Sequence, residues 1–70
     1  MDKYEIIIYW SKDDSAFIAE APELPGCMAH GKTHDAALKN LRSGMRLWIR
    51  TAREFGHPVP DPKGRRLVFA

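Results

Sequence analysis

The sequence predicts an α+β domain: a two-layer β-β-β-α-β unit in which a small, mainly antiparallel sheet carries one long helix on one face. Three observations predict it. Between Thr33 and Gly56, large or apolar residues fall at Ala37, Leu41, Met45, Trp48, Ala52 and Phe55, spacings of four, four, three, four and three. That is one face of a helix repeating every 3.6 residues, with Leu38 and Ile49 widening the stripe. Short β-branched and aromatic runs stand before and after this segment, and clusters of turn residues separate them.

In chain order, Tyr4 to Trp10 (YEIIIYW) is a predicted strand, apolar on both faces. Ser11-Lys12-Asp13-Asp14-Ser15 is a polar turn, and Ala16 to Ala21 returns as the second arm of a hairpin. Pro22-Glu23-Leu24-Pro25-Gly26 stops that arm, because each proline removes a backbone donor and Gly26 can take the positive φ of a tight reversal. Cys27 to Gly31 is a short third strand leading into the helix. Thr33 is the expected N-cap, and Asp35 complements the helix dipole in the first turn. Gly56 and Pro58 mark the stop. His57 to Gly64 has proline at every second position from 58 to 62 and is expected to be extended, with Arg65 to Ala70 as a closing strand. Gly44 lies on the helical seam, where glycine costs about 1 kcal/mol relative to alanine. Close approach of helix to sheet would account for it, and Gly44→Leu would then overpack the core.

Composition narrows the function classes. The chain has 70 residues, 44% hydrophobic and 29% charged, which describes a single ordered domain of marginal size (residues 1–70). Cys27 is the only cysteine, so neither an internal disulfide nor a cysteine-based zinc site is expected. No apolar run approaches the ~18 residues of a membrane span, and no leader pattern is present; cytoplasmic residence is the default expectation. Net charge is +2, but it is polarised. Residues 1–38 hold three Lys/Arg against seven Asp/Glu, and residues 39–70 hold eight against two. Such asymmetry fits either a charged partner or a helix with a solvated basic face.

No nucleotide-binding glycine loop, HExxH pair, GxSxG elbow or CxxC spacing occurs. His30, His34 and His57 fall in a strand, a helix start and a loop, with no spacing that gathers two on one face, so no metal site and no cofactor is expected. Asp13-Asp14 could serve as acid and base, yet adjacent acids in a hairpin loop are more simply turn residues. Cys27 and His30, three apart in a strand, point to opposite faces, and Cys27 fits a small core residue. An enzyme is not expected. The basic residues Lys39, Arg42, Arg46, Arg50 and Arg53 recur at three, four, four and three, lining one side of the helix. They could grip RNA phosphates; with no aromatics among them, a solvated back is the simpler account.

One helix covers only one face of a sheet. Some of Ile7, Tyr9, Ile18 and Met28, or their counterparts, must therefore lie on the bare face, and they are the expected oligomer interface. A homodimer, tetramer or hetero-complex is expected.

One combination is specific. Phe17-x-Ala19-x-x-Pro22-Glu23-Leu24-Pro25-Gly26-Cys27 is followed by Gly31-Lys32-Thr33, then Ala36-Ala37-Leu38-x-Asn40, then Gly56-x-Pro58-x-Pro60-x-Pro62. It resembles the HicB-like antitoxin family across nearly the whole chain. The resemblance implies a degraded RNase H-like domain without the catalytic carboxylates. It also implies a partner, a basic HicA-type toxin that cleaves mRNA, whose RNA-binding surface the antitoxin covers. Many members add a C-terminal DNA-binding segment. This sequence ends at Ala70 without one, so direct DNA binding is not expected. Charge complementarity to a basic toxin points to Asp13, Asp14, Glu20 and Glu23 as partner-binding residues.

Overall fold

The computed structural model of the chain describes residues 3–63. Three strands, β1 (Ile7–Ser11), β2 (Ala16–Glu20) and β3 (Met28–Gly31), precede one helix, α1 (His34–Glu54). The sheet order is β1-β2-β3, with both pairings antiparallel and β2 central. The predicted closing strand from Arg65 to Ala70 lies outside the described residues.

Each strand is shorter than its apolar run, for a definite hydrogen-bonding reason. The Glu5 N–H donates to Glu23 Oε1 at 2.9 Å, so the backbone ahead of β1 is held by a side chain. Ala21 N–H still donates to the Cys27 carbonyl in the β2–β3 register, but Cys27 N–H donates to the Leu24 carbonyl and not back across to Ala21, so the ladder ends at this pair and the loop begins. Within that loop Leu24 N–H donates to the Ala21 carbonyl, closing a turn with Pro22 second. The next turn runs Leu24 to Cys27, with Pro25 second and Gly26 third at φ +78. Proline then glycine at positive φ is the type II pattern. Leu24, between the two turns, is fully buried and anchors the loop in the core.

The helix begins where its signals lie. Thr33 is extended, and its Oγ1 accepts from the Ala36 N–H at 3.0 Å. At the other end Gly56 takes φ +69, its N–H donates to the Arg53 carbonyl, and His57 N–H donates to the Ala52 carbonyl. Those paired bonds form a Schellman cap. The Trp48 indole N–H reaches the Pro25 carbonyl at 3.0 Å, and the Asn40 amide reaches the His30 carbonyl at 2.8 Å, so α1 is tied to both the loop and β3.

The core lies between α1 and one sheet face: Tyr4, Ala19, Ala21, Leu24, Cys27, Ala37, Leu41 and Met45, with Ile6, Ile8, Phe17, Ala29, Trp48 and Ile49 around it. Two expectations about the helical seam are corrected. Phe55 caps the helix and is 70% exposed, because the chain turns away at Gly56 before the residue can reach the sheet. Gly44 does not mark a close approach of helix to sheet: beyond the helix's own backbone, a Cβ built there meets nothing within 4 Å among the described residues. The tight contact is at Gly31, where a Cβ would stand 2.5 Å from the Ala37 nitrogen and 2.7 Å from the Ala36 carbonyl carbon. The strand end thus lies directly under the first turn of α1, and only a residue without a side chain fits.

The proline segment after the helix has neither helix nor strand as far as Lys63. It is held at two points. The Tyr4 hydroxyl donates to the Pro60 carbonyl, and Lys63 N–H donates to Glu23 Oε2 at 2.7 Å.

Candidate functional site

The register decides which residues share the bare face. Ile7 pairs with Glu20 and Glu20 with Met28; Tyr9 pairs with Ile18 and Ile18 with His30. Directly paired residues point to the same side of a sheet. Ile7, Tyr9, Ile18 and Met28 therefore lie together on the face opposite α1, with Glu20 and His30 among them. Ile7, Tyr9 and Met28 are exposed, whereas Ile18 is only 9% exposed, because it sits on the central strand under its neighbours. A groove of about 410 Å³ crosses this face, and its lining includes Tyr9, Asp14, Ile18, Met28 and His30.

The four acidic residues do not form one group. Asp13 and Asp14 lie at the hairpin tip, where Ser11 Oγ donates to Asp14 Oδ2 at 2.8 Å and Asp14 N–H donates back to Ser11 Oγ at 3.3 Å. Ser15 closes the tip in the left-handed region at φ 51. Glu20 stands on the sheet face between Ile7 and Met28. Glu23 is elsewhere: its two oxygens accept from Glu5 N–H and Lys63 N–H, and its carboxylate holds the two ends of the fold together. Charge complementarity places it among the expected partner-binding acids. The signal for its real bonding role is its position inside Pro-Glu-Leu-Pro-Gly, where two tight turns fix the side chain in place.

All five basic residues of the helix, Lys39, Arg42, Arg46, Arg50 and Arg53, are exposed. The last three border a groove of about 620 Å³, together with Tyr4, Ile49 and Val59. Part of the charge asymmetry of the sequence thus becomes an asymmetry of faces, with Asp14 and Glu20 at the rim and centre of the bare sheet and five bases on the back of the helix. The two are separated by the whole thickness of the core.

The histidines are dispersed. His34 stacks on Phe17 with ring centroids 4.1 Å apart, and Phe17 meets Trp10 edge-on at 5.0 Å. His57 lies 6.2 Å from Phe55. Among the described residues no group of three or more His, Cys, Asp or Glu could hold a metal ion. Cys27 is buried in the core cluster, and that burial raises its thiol pKa above the ordinary value. A buried neutral thiol is a packing group and a poor nucleophile. Among the described residues no helix is long and apolar enough to cross a membrane.

These features define a small two-layer α+β domain in which the described residues leave one apolar, acid-edged sheet face uncovered. The chain belongs to the UPF0150-like family, whose model matches residues 3–60. It is 36% identical to a UPF0150 protein of Thermoplasma acidophilum over 67 residues, covering 94% of each chain. It is 37% identical over 58 residues to a UPF0150 protein of Synechocystis, covering 83% of this chain and 78% of that one. No solved structure matches the chain.

Proposed function

We propose that this chain is an antitoxin-like binding protein of the HicB type, which docks on a HicA-type mRNA-cleaving toxin and covers its RNA-binding surface. The observation that carries the reading is the bare sheet face: exposed Ile7, Tyr9 and Met28, with Glu20 between Ile7 and Met28, and beside them a groove lined by Tyr9, Asp14, Ile18, Met28 and His30. An RNA-cleaving protein has a basic working surface. An apolar patch set with carboxylates complements such a surface, the apolar part supplying affinity and the acids steering and orientation. The Pro22-Glu23-Leu24-Pro25-Gly26-Cys27 loop and the Gly31-Lys32-Thr33 helix start, through which the chain resembles HicB-like proteins, are built into the fold as a doubly turned plug and a helix cap. Neither is a catalytic device, in keeping with a protein that binds and performs no chemistry.

The test is co-expression of the tagged chain with the small protein encoded beside it. A stoichiometric complex and suppressed RNA cleavage are expected. Tyr9→Lys combined with Glu20→Lys should break the complex while leaving the helical signal intact, since both residues point away from the core. Failure to form any complex, or a complex indifferent to that double variant, would overturn the reading.

A second reading is supported by the exposure of Lys39, Arg42, Arg46, Arg50 and Arg53 on one helical face. In it the isolated protein binds RNA phosphates, with affinity falling steeply as salt rises. An Arg46→Gln/Arg50→Gln variant retaining full RNA affinity would remove it.

A further inference from the structure

Going round α1 at about 100° per residue divides its surface into three sectors. The first faces the sheet and contains Ala37, Leu41, Met45 and Ala52, all buried. The second is the basic back from Lys39 to Arg53. The third contains Asn40, Gly44, Leu47, Thr51 and Phe55, at spacings of four, three, four and four, and is uncharged, with Glu54 at its margin. This third sector runs beside β3. The Asn40 amide bonds the His30 carbonyl, and a groove of about 440 Å³ between helix and strand is lined by Cys27, Met28, Leu47, Trp48 and Phe55. Met28, Leu47 and Phe55 around it are 54%, 60% and 70% exposed.

We propose that this flank is a self-association surface, on which a second copy of the chain docks about a two-fold axis with the α1 helices crossing near Gly44. Symmetry selects it. A two-fold dimer places a patch against itself, so a patch of one charge sign opposes its own copy. The back of α1 would bring arginines against arginines. The bare sheet face would bring Glu20 of the central strand towards its symmetry mate, with Asp14 close by. The third sector carries no such penalty and presents exposed Leu47 and Phe55 among uncharged residues, and so it is the self-complementary one.

Gly44 points the same way. Among the described residues, and the helix's own backbone and the chain neighbours aside, nothing lies within 4 Å of a Cβ placed there, so packing against them does not account for a residue that weakens the helix. A second helix crossing at that notch does, since a missing side chain lets two backbones approach closely. Leu47 and Phe55 flank the notch and supply the side chains to fill the partner's groove. A domain of 70 residues whose largest fully buried side chains are Leu24, Leu41 and Met45 also gains from covering this apolar area. Ile7, Tyr9 and Glu20 on the sheet face stay free and only Met28 borders both surfaces, so a heterologous partner can bind the dimer.

Light scattering and sedimentation of the purified chain over a range of concentrations test the proposal. A dimer is expected. Leu47→Glu or Thr51→Glu should weaken it about tenfold or more, as charges at the centre of a buried patch do. Both side chains are exposed in the single chain, so circular dichroism should be unchanged, and either variant suffices if the other unfolds. Gly44→Ala should weaken association while raising the melting temperature of the dilute protein, a combination that a purely structural role cannot give. Tyr9→Lys should leave the mass unaltered. A chain that stays monomeric at millimolar concentration overturns the proposal. So does a dimer untouched by Leu47→Glu and dissolved by Tyr9→Lys, or a groove occupied only in complex with a different protein.

Discussion

A methyl group on Gly31 would sit 2.5 Å from the Ala37 nitrogen, against backbone that cannot swing aside. Gly31→Ala must therefore push the first turn of α1 off the strand, and overpacking of this kind costs typically 1–3 kcal/mol, here about 2 kcal/mol or more. Gly44→Ala meets open space in the single chain and replaces a poor helix former by the best one. In dilute protein it should stabilise by about 1 kcal/mol. Urea denaturation of both variants checks the pair, and the signs should be opposite. Helical periodicity points to Gly44 as the glycine of close packing, whereas the tight contact is at Gly31. A glycine on a helical seam is recognisable from its spacing. A strand glycine pressed against a helix backbone depends on the crossing of two elements, which no local pattern encodes. Glu23 is a similar case: as a letter it is a surface acid, and only the return of the proline segment past the loop makes it a tether.

The helix was the most legible element, because its signals are local and agree. Thr33, Asp35, Gly56 and Pro58 bracket it, and the cap bonds fall where those residue types place them. Removing the Thr33 hydroxyl leaves the Ala36 N–H without its side-chain partner. Thr33→Ala should accordingly cost about 1 kcal/mol, read as a lower urea midpoint with unchanged slope. Strand ends were less legible. Tyr4 to Ile6 and Ala21 have strand-like side chains, yet the Glu5 N–H goes to the Glu23 carboxylate and the Ala21 carbonyl accepts from the Leu24 N–H of the loop. Phe55 shows the limit of periodicity: its spacing fits the stripe, but the stripe outlasts the sheet beneath it.

For the whole molecule, the separation of an acidic half from a basic half was readable by counting, but its meaning as two opposed faces was not. Nor could alternation in β1 tell which side the helix would take, since both are apolar; pairing with β2 settled it. The compactness of the core gives a further expectation. Cys27 lies inside the cluster under α1, and burial raises its thiol pKa. The native state therefore keeps a proton that the unfolded chain gives up. This contribution to stability is whole below the ordinary thiol range and is lost as pH rises from there through the raised native value. Denaturation profiles of the parent and Cys27→Ala should diverge in that alkaline window, the parent falling more steeply. A thiol reagent should label the native protein only as fast as the core opens.

The order in which the elements meet has a temporal consequence. β1 lies against β2, β2 against β3, and β3 passes through two residues into the helix that roofs it. Each piece finds its principal neighbour next along the polypeptide, so little loop must be closed before a contact rewards it. The hairpin, the plugged turn and the capped helix can each condense as soon as they are synthesised, and exposure of the apolar ribbons to aggregation during biogenesis is correspondingly brief.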